Sequence, residues 1–202
     1  VGYCDRIIYE IPASVEPISD RLYENASAYF VDDSNSVYSD IDGVLFNKDK
    51  SILILYPNAR EESSYVVPDG VKEIGEYAFS NCSSLASIKV ETGNTIYDSR
   101  KDCNAIIETA TNTLVVACKN TFIPDNVVSI GDYAFDGCNS LSFITIPDSV
   151  KRIGNRAFYK CSSLMSITIP NSIISIGGGA FEDSGIYNDD SKWEEGVLYI
   201  SN

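Results

Sequence analysis

At 202 residues the chain can bury a substantial core, and its 44% hydrophobic content excludes wholesale disorder. A formal net charge of -14 speaks against nucleic acid or an anionic membrane as the main partner, and the absence of histidine removes Ser-His-Asp, Cys-His and His-Glu-x-x-His chemistry. No apolar run approaches the ~20 residues that span a bilayer, and no signal-peptide pattern opens the chain, which reads as a piece of a longer protein.

Taken in chain order, residues 11–31 ("IPASVEPISDRLYENASAYFV") form a short, irregular unit in which Leu22-Tyr23 stands where later units have Ala-Phe. Residues 32–66 follow as an inserted polar and apolar stretch. Residues 67–90 ("VPDGVKEIGEYAFSNCSSLASIKV") are the first full unit, and residues 91–122 are a second insertion. Three units then run without interruption, at 123–145, 146–168 and 169–186, with Pro124, Pro147 and Pro170 spaced 23 apart. Residues 187–202 begin a third insertion.

Each unit carries the same pattern, Ile-Pro-Asp-x-Val-x-x-Ile-Gly-x-x-Ala-Phe-x-x-Cys-x-x-Leu-x-x-Ile. Leu141, Ile144 and Ile146 predict a short strand with one buried face. Pro147 ends it, Val150 and Ile153 predict a second extended segment, and Gly154 suits a turn. Ala157, Phe158, Cys161 and Leu164, spaced three and four apart, predict one or two helical turns. No single unit can bury these residues, so the expectation is an α/β solenoid with a parallel β-sheet, short helical turns and inserted β-hairpins.

The insertions resemble one another. Val31, Asn35 and Tyr38 align with Val90, Asn94 and Tyr97, and "VLF" and "ILILY" align with "AII" and "LVVAC" around polar tips, which predicts hairpins. Gly196-Val197-Leu198-Tyr199 repeats Gly43-Val44-Leu45-Phe46. The aspartate-rich stretch "VDDSNSVYSDIDG" is thus a hairpin entry before it is a calcium loop. With Gly43 at the sixth place of an EF-hand loop, Asp40 and Asp42 fall correctly, but Tyr38 takes the first ligand position and Asp49 the last.

Leu141-x-x-Ile144-x-Ile146 with Phe158 and Cys161 resembles a leucine-rich repeat. The specific Ile-Pro-x-x-Val-x-x-Ile-Gly-x-x-Ala-Phe-x-x-Cys form is similar to the BspA-like family of bacterial cell-surface proteins. The resemblance covers nearly the whole chain from Ile11, within a single leucine-rich-repeat domain of residues 1–202, and implies a concave strand face on a secreted or cell-surface protein linked to adhesion.

Candidate chemistry is sparse. Cys82, Cys138 and Cys161 occupy equivalent inward positions and read as a buried column of small apolar residues; coils ~4.8 Å apart cannot offer the ~2.3 Å Zn–S bonds of a metal site. Cys103 and Cys118 fall opposite each other if Ile107 pairs with Leu114, which makes them either a candidate disulfide or two neighbouring thiols. Cys4 has no visible partner. The strand positions expected to face outward are Ala86, Ser87 and Lys89, then Ser142, Phe143 and Thr145, then Met165, Ser166 and Thr168. None is an acid, which disfavours a paired-carboxylate glycosidase. Gly177-Gly178-Gly179 lacks the Lys-Ser/Thr of a phosphate loop and reads as a divergent turn. Phe143 and Met165 are the apolar members of the outward rows and are candidate contact anchors. The reading is a non-enzymatic module without cofactors that binds a protein (host extracellular matrix or bacterial surface) or glycan outside the cell; the alternative is a passive spacer.

Overall fold

The computed structural model of the protein describes residues 6–18, 25–194 and 197–198. Cys4, Leu22-Tyr23, Gly196 and Tyr199, invoked above, lie outside the described residues. In chain order the strands are β1 (Ile7–Ile11), β2 (Ala26–Val31), β3 (Tyr38–Ile41), β4 (Val44–Asn47), β5 (Ile52–Leu55), β6 (Ser64–Val67), β7 (Glu73–Ile74), β8 (Ser87–Val90) and β9 (Tyr97–Asp98). There follow β10 (Ala105–Glu108), β11 (Thr113–Ala117), β12 (Ser129–Ile130), β13 (Phe143–Thr145), β14 (Arg152–Ile153), β15 (Ser166–Thr168), β16 (Ser175–Ile176), β17 (Trp193–Glu194) and β18 (Val197–Leu198).

Two ladders run along the stack. The Leu-x-x-Ile segments pair in parallel as β1 with β2, β6 with β8, and β13 with β15. Alternation explains them: Ile144 and Ile167 are buried while Phe143, Thr145, Ser166 and Thr168 point out. The Val-x-x-Ile-Gly segments pair in parallel as β12, β14 and β16. Beneath them Phe135, Phe158 and Phe181 stack at 4.7 and 5.4 Å between centroids.

The expected helical turns do not form. Among the described residues, helical geometry is confined to two three-residue 3-10 turns, Arg100–Asp102 and Asp190–Lys192. The physical reason is a left-handed residue immediately before the consensus cysteine in each unit, Asn81 (φ 58), Gly137 (φ 68) and Lys160 (φ 56), and before the equivalent Ser184, Asp183 (φ 57). A second, Tyr133, Arg156 or Gly179, precedes the alanine in three units. Left-handed residues break α-helix propagation. The backbone turns its N–H groups to the next coil instead: Tyr133, Phe135 and Gly137 donate to the carbonyls of Asn155, Ala157 and Tyr159, and Arg156, Phe158 and Lys160 to those of Gly178, Ala180 and Glu182. The spacing of three and four thus marks an inward-facing arc, and the molecule is a β-solenoid rather than an α/β one.

The hairpins are also more than insertions. β3, β4 and β5 form an antiparallel meander, and β5 continues in parallel into β7 of the next unit. β9, β10 and β11 repeat this, with β11 pairing in parallel to β12. Each hairpin therefore replaces a coil of the ladder. It also divides the core: Val44 and Phe46 face one hydrophobic cluster and Leu45 another, while Ile106 faces one and Ala105 and Ile107 another. Burial on both faces is what the unbroken apolar triplets "VLF" and "AII" encode.

The recurring glycines answer to stacking. Gly75, Gly131, Gly154 and Gly177 have ordinary φ angles, but a Cβ on Gly154 would meet the Asp132 nitrogen at 2.5 Å and one on Gly177 the Asn155 nitrogen at 2.4 Å. Neighbouring coils approach too closely for a side chain at Gly154 and Gly177, and leave little room at Gly75 and Gly131.

Candidate functional site

The outward strand positions fall into separate patches. On β8, Ser87 and Lys89 sit opposite Ser64 and Val66, and the Lys89 ammonium lies 2.8 Å from Asp102. That carboxyl is held below the usual carboxylate range by its bond to Lys89. On β13 and β15, Phe143 opposes Ser166 and Thr145 opposes Thr168. Residues 100–104 run between the two patches, where Phe122 N–H donates to the Cys103 carbonyl and the Asn104 amide donates to Asn120. The expected continuous strand sheet is therefore broken by the turn of each meander.

Phe143 and Met165 lie one position apart in the register, Phe143 opposing Ser166. Ser142 is the cross-strand neighbour of Met165, whose N–H donates to its carbonyl, and the Met165 sulfur lies against Gly185 in the following coil. The apolar partner of Phe143 in the same groove is Phe122, outside the outward rows that the sequence predicts. These two rings, 70% and 45% exposed, line a groove of about 590 Å³ with Lys119, Asp125, Thr145 and Pro147. Aligning Cys118–Ile123 with Leu141–Ile146 places Phe122 where the regular unit has Thr145, and that alignment was the available signal. A second groove of about 750 Å³ continues past Thr145 and Thr168 to Asp148 and Asn171. Asp125 is the carboxylate of the first groove, and Lys101 stands 4.0 Å from it.

The cysteines behave as core residues. Cys138 and Cys161 are buried, Cys82 half-buried, and each thiol points at a backbone carbonyl, of Ala117, Phe135 and Ser80 respectively. Burial pushes the Cys161 thiol up to about 12 and raises Cys82 and Cys138 as well, away from thiolate reactivity. Cys103 and Cys118 are free cysteines. A bulge between Ile106 and Ile107 shifts the register by one, so that Ala105 opposes Ala117. One residue of slip turns a side chain to the other face, and the two cysteines belong to different core clusters.

The aspartate-rich stretch serves the backbone. Asp40 accepts from the Val31 N–H at 2.9 Å, and Asp42 (φ 50) with Gly43 (φ 77) makes the two-residue turn between β3 and β4. Asp32, Asp49 and Asp189 each accept from the N–H and hydroxyl of the serine two residues on, which lowers all three carboxyls. Asn35, fully buried, donates to the Pro12 and Val15 carbonyls and accepts from Val37 and Tyr38; Asn94 does the same with Pro68, Val71, Ile96 and Tyr97. The aligned asparagines are structural clamps. In the Gly177-Gly178-Gly179 run, Gly177 is a stacking glycine, Gly178 donates to the Asn155 side chain, and Gly179 (φ 62) is a left-handed arc residue.

A family model for the BspA type leucine-rich repeat region matches residues 55–111 and 107–191, well over half of the chain. The chain belongs to the BspA-type leucine-rich-repeat family. Among solved structures, the pneumococcal vaccine antigen PcpA resembles this BspA-type chain with 27% identity and a TM-score of 0.53, over 85% of this chain and 42% of that one. A leucine-rich cell surface protein from Faecalibacterium prausnitzii shares the fold with 23% identity and a TM-score of 0.56, over 87% and 45% of the two chains. The BspA-type chain thus spans under half the length of either. No curated protein matches it.

Proposed function

We propose that this BspA-type chain is a non-catalytic binding module of an extracellular or cell-surface protein, acting through the groove between residues 119–125 and 140–147. The observation that carries the reading is the pair Phe122 and Phe143, two exposed rings lining one groove. A chain of net charge -14 that leaves two phenylalanines in water at one place is spending stability there. Aromatic side chains anchor interfaces when a partner desolvates them, and the surrounding Ser142, Thr145, Ser166 and Thr168 supply hydroxyls for hydrogen bonds. The family and the cell-surface relative support an extracellular site of action, and the partner class is a protein of host matrix or bacterial surface, or a glycan.

The test is a screen of the purified chain against matrix proteins, bacterial surface proteins and glycans, beside a Phe122→Ser, Phe143→Ser double variant. A saturable partner lost in the folded double variant supports the groove. A partner bound equally by both moves the site elsewhere, for example to Ser87 and Lys89, and silence across the screen favours a spacer.

A further inference from the structure

The regular stacking of arcs is interrupted between the units at 67–90 and 123–145. β11 turns away after Ala117 without making a Gly-x-x-Ala-Phe arc, so the arcs 75–80 and 132–136 meet directly through Tyr77 on Tyr133 and through the Asn81 N–H on the Asp136 carbonyl. Between them lies a cleft of about 180 Å³, lined by Glu76, Ser80, Asp132 and Asp136 with Tyr97 and Tyr133.

Asp136 is the unusual member. Its counterparts after the consensus phenylalanine, Ser80, Tyr159 and Glu182, are half-exposed, whereas Asp136 is 9% exposed. Its Oδ1 is buried without a hydrogen-bond partner, and the Ser80 side chain lies within reach of the carboxyl and lowers it. Asp132 is already satisfied, its two oxygens taken by the Asn155 N–H and side-chain amide. No lysine or arginine lines the cleft itself, but Lys160 and Arg156 act on Asp136 from outside it and Arg152 stands 3.9 Å from Asp132; what remains is one buried acceptor beside an acidic lining. A buried carboxylate oxygen with no partner costs free energy that a bound cation recovers.

We propose that this cleft binds a primary ammonium group on a slender alkyl chain, from a lysine side chain of a partner protein or from a free alkylamine. Size supports it: about 180 Å³ is below the ~300 Å³ of drug-sized pockets. Geometry favours the ammonium, because a guanidinium gains most from two carboxylate oxygens side by side and Asp136 offers one, whereas an ammonium acts as a point charge with three donors. No three acidic groups among the described residues converge as a metal ion would require. Tyr97 and Tyr133 add aromatic rings to the lining. The site is distinct from the Phe122–Phe143 groove and stands or falls separately.

The test is to titrate the whole chain with n-butylammonium chloride, with Nα-acetyl-lysine N-methylamide and with n-butanol, following backbone amides by NMR. The expected result is a saturable shift of the Ser80 and Asp136 amides with a cation and none with n-butanol. Asp136→Asn, which keeps the shape and removes the charge, should weaken binding by roughly tenfold or more, and Ser80→Ala by a smaller factor. Saturation by both cations points to free amines as well as lysine, and saturation by the lysine derivative alone points to a protein partner. Failure of both cations to saturate, an equal response to n-butanol, or Asp136→Asn binding like the parent chain would each overturn the site.

Discussion

A missing Cβ and a missing hydrogen-bond partner are the two most consequential residue-scale features. Gly154 is packed so closely on the coil before it that Gly154→Ala should cost about 1–3 kcal/mol through overpacking. Gly70→Ala, where a Cβ meets nothing within 4 Å, should be neutral or slightly stabilising. Urea denaturation of the two variants checks this; equal midpoints would mean that the glycine column answers to something other than stacking. Asp136 bears on pH. Burial raises its carboxyl, against the pull of Lys160 and Arg156 and with Glu76 and Asp132 also near. A raised acid binds its proton more tightly when folded, so its ionisation subtracts stability at neutral pH, and the penalty fades as pH falls through the raised value towards 3.8. Asp136→Asn should therefore be more stable than the parent at pH 7, with the difference shrinking near pH 4. A difference that grew on acidification would show Asp136 ionised by a favourable partner.

At the scale of elements, the meanders depend on their asparagines. Asn35→Ala removes a fully buried amide and leaves the Val15 carbonyl and the Val37 and Tyr38 N–H groups without it, the Pro12 carbonyl keeping the Val15 N–H, and should cost about 2–4 kcal/mol, measured by denaturant titration. Asn94→Ala should behave alike, and indifference at both positions would remove the clamp role. The sequence made these elements legible to differing degrees. The 23-residue repeat, the strand positions of Ile144 and Ile167 and the matched hairpins could all be read, because burial on one face leaves a pattern. The arc around Phe158 has helical spacing in the sequence because three-and-four spacing reports which side chains face inward and is silent on backbone dihedrals; left-handed Arg156 and Lys160 carry no warning in their chemistry, unlike Gly137. Cys103 and Cys118 fall opposite each other only on an unbulged register, and a bulge has no signature in "CNAIIE". Phe122 escaped because its unit lacks the consensus leucine, Cys118 standing in its place.

On the scale of the whole molecule, the hairpins act as partitions between compartments of core, which makes an unusual kind of cooperativity testable. In a solenoid, stability passes mainly between neighbours. Here β10 is the wall between two neighbours, with Ile106 facing the cluster of Phe79 and Ile88 and Ile107 facing that of Phe135 and Phe158. Both isoleucines are fully buried, so Ile106→Ala and Ile107→Ala should each cost about 2–5 kcal/mol. The costs should appear in different places. Native-state hydrogen exchange should show Ile106→Ala releasing amides of residues 67–90 first, and Ile107→Ala releasing those of residues 123–168, although the two sites are adjacent in sequence. If both variants loosen the same amides, the wall transmits strain across itself and the compartments fold as one unit. If the releases separate, each hairpin is a boundary between stretches of coil that open independently, and a partner held at the Phe122–Phe143 groove would protect the second stretch without protecting the first.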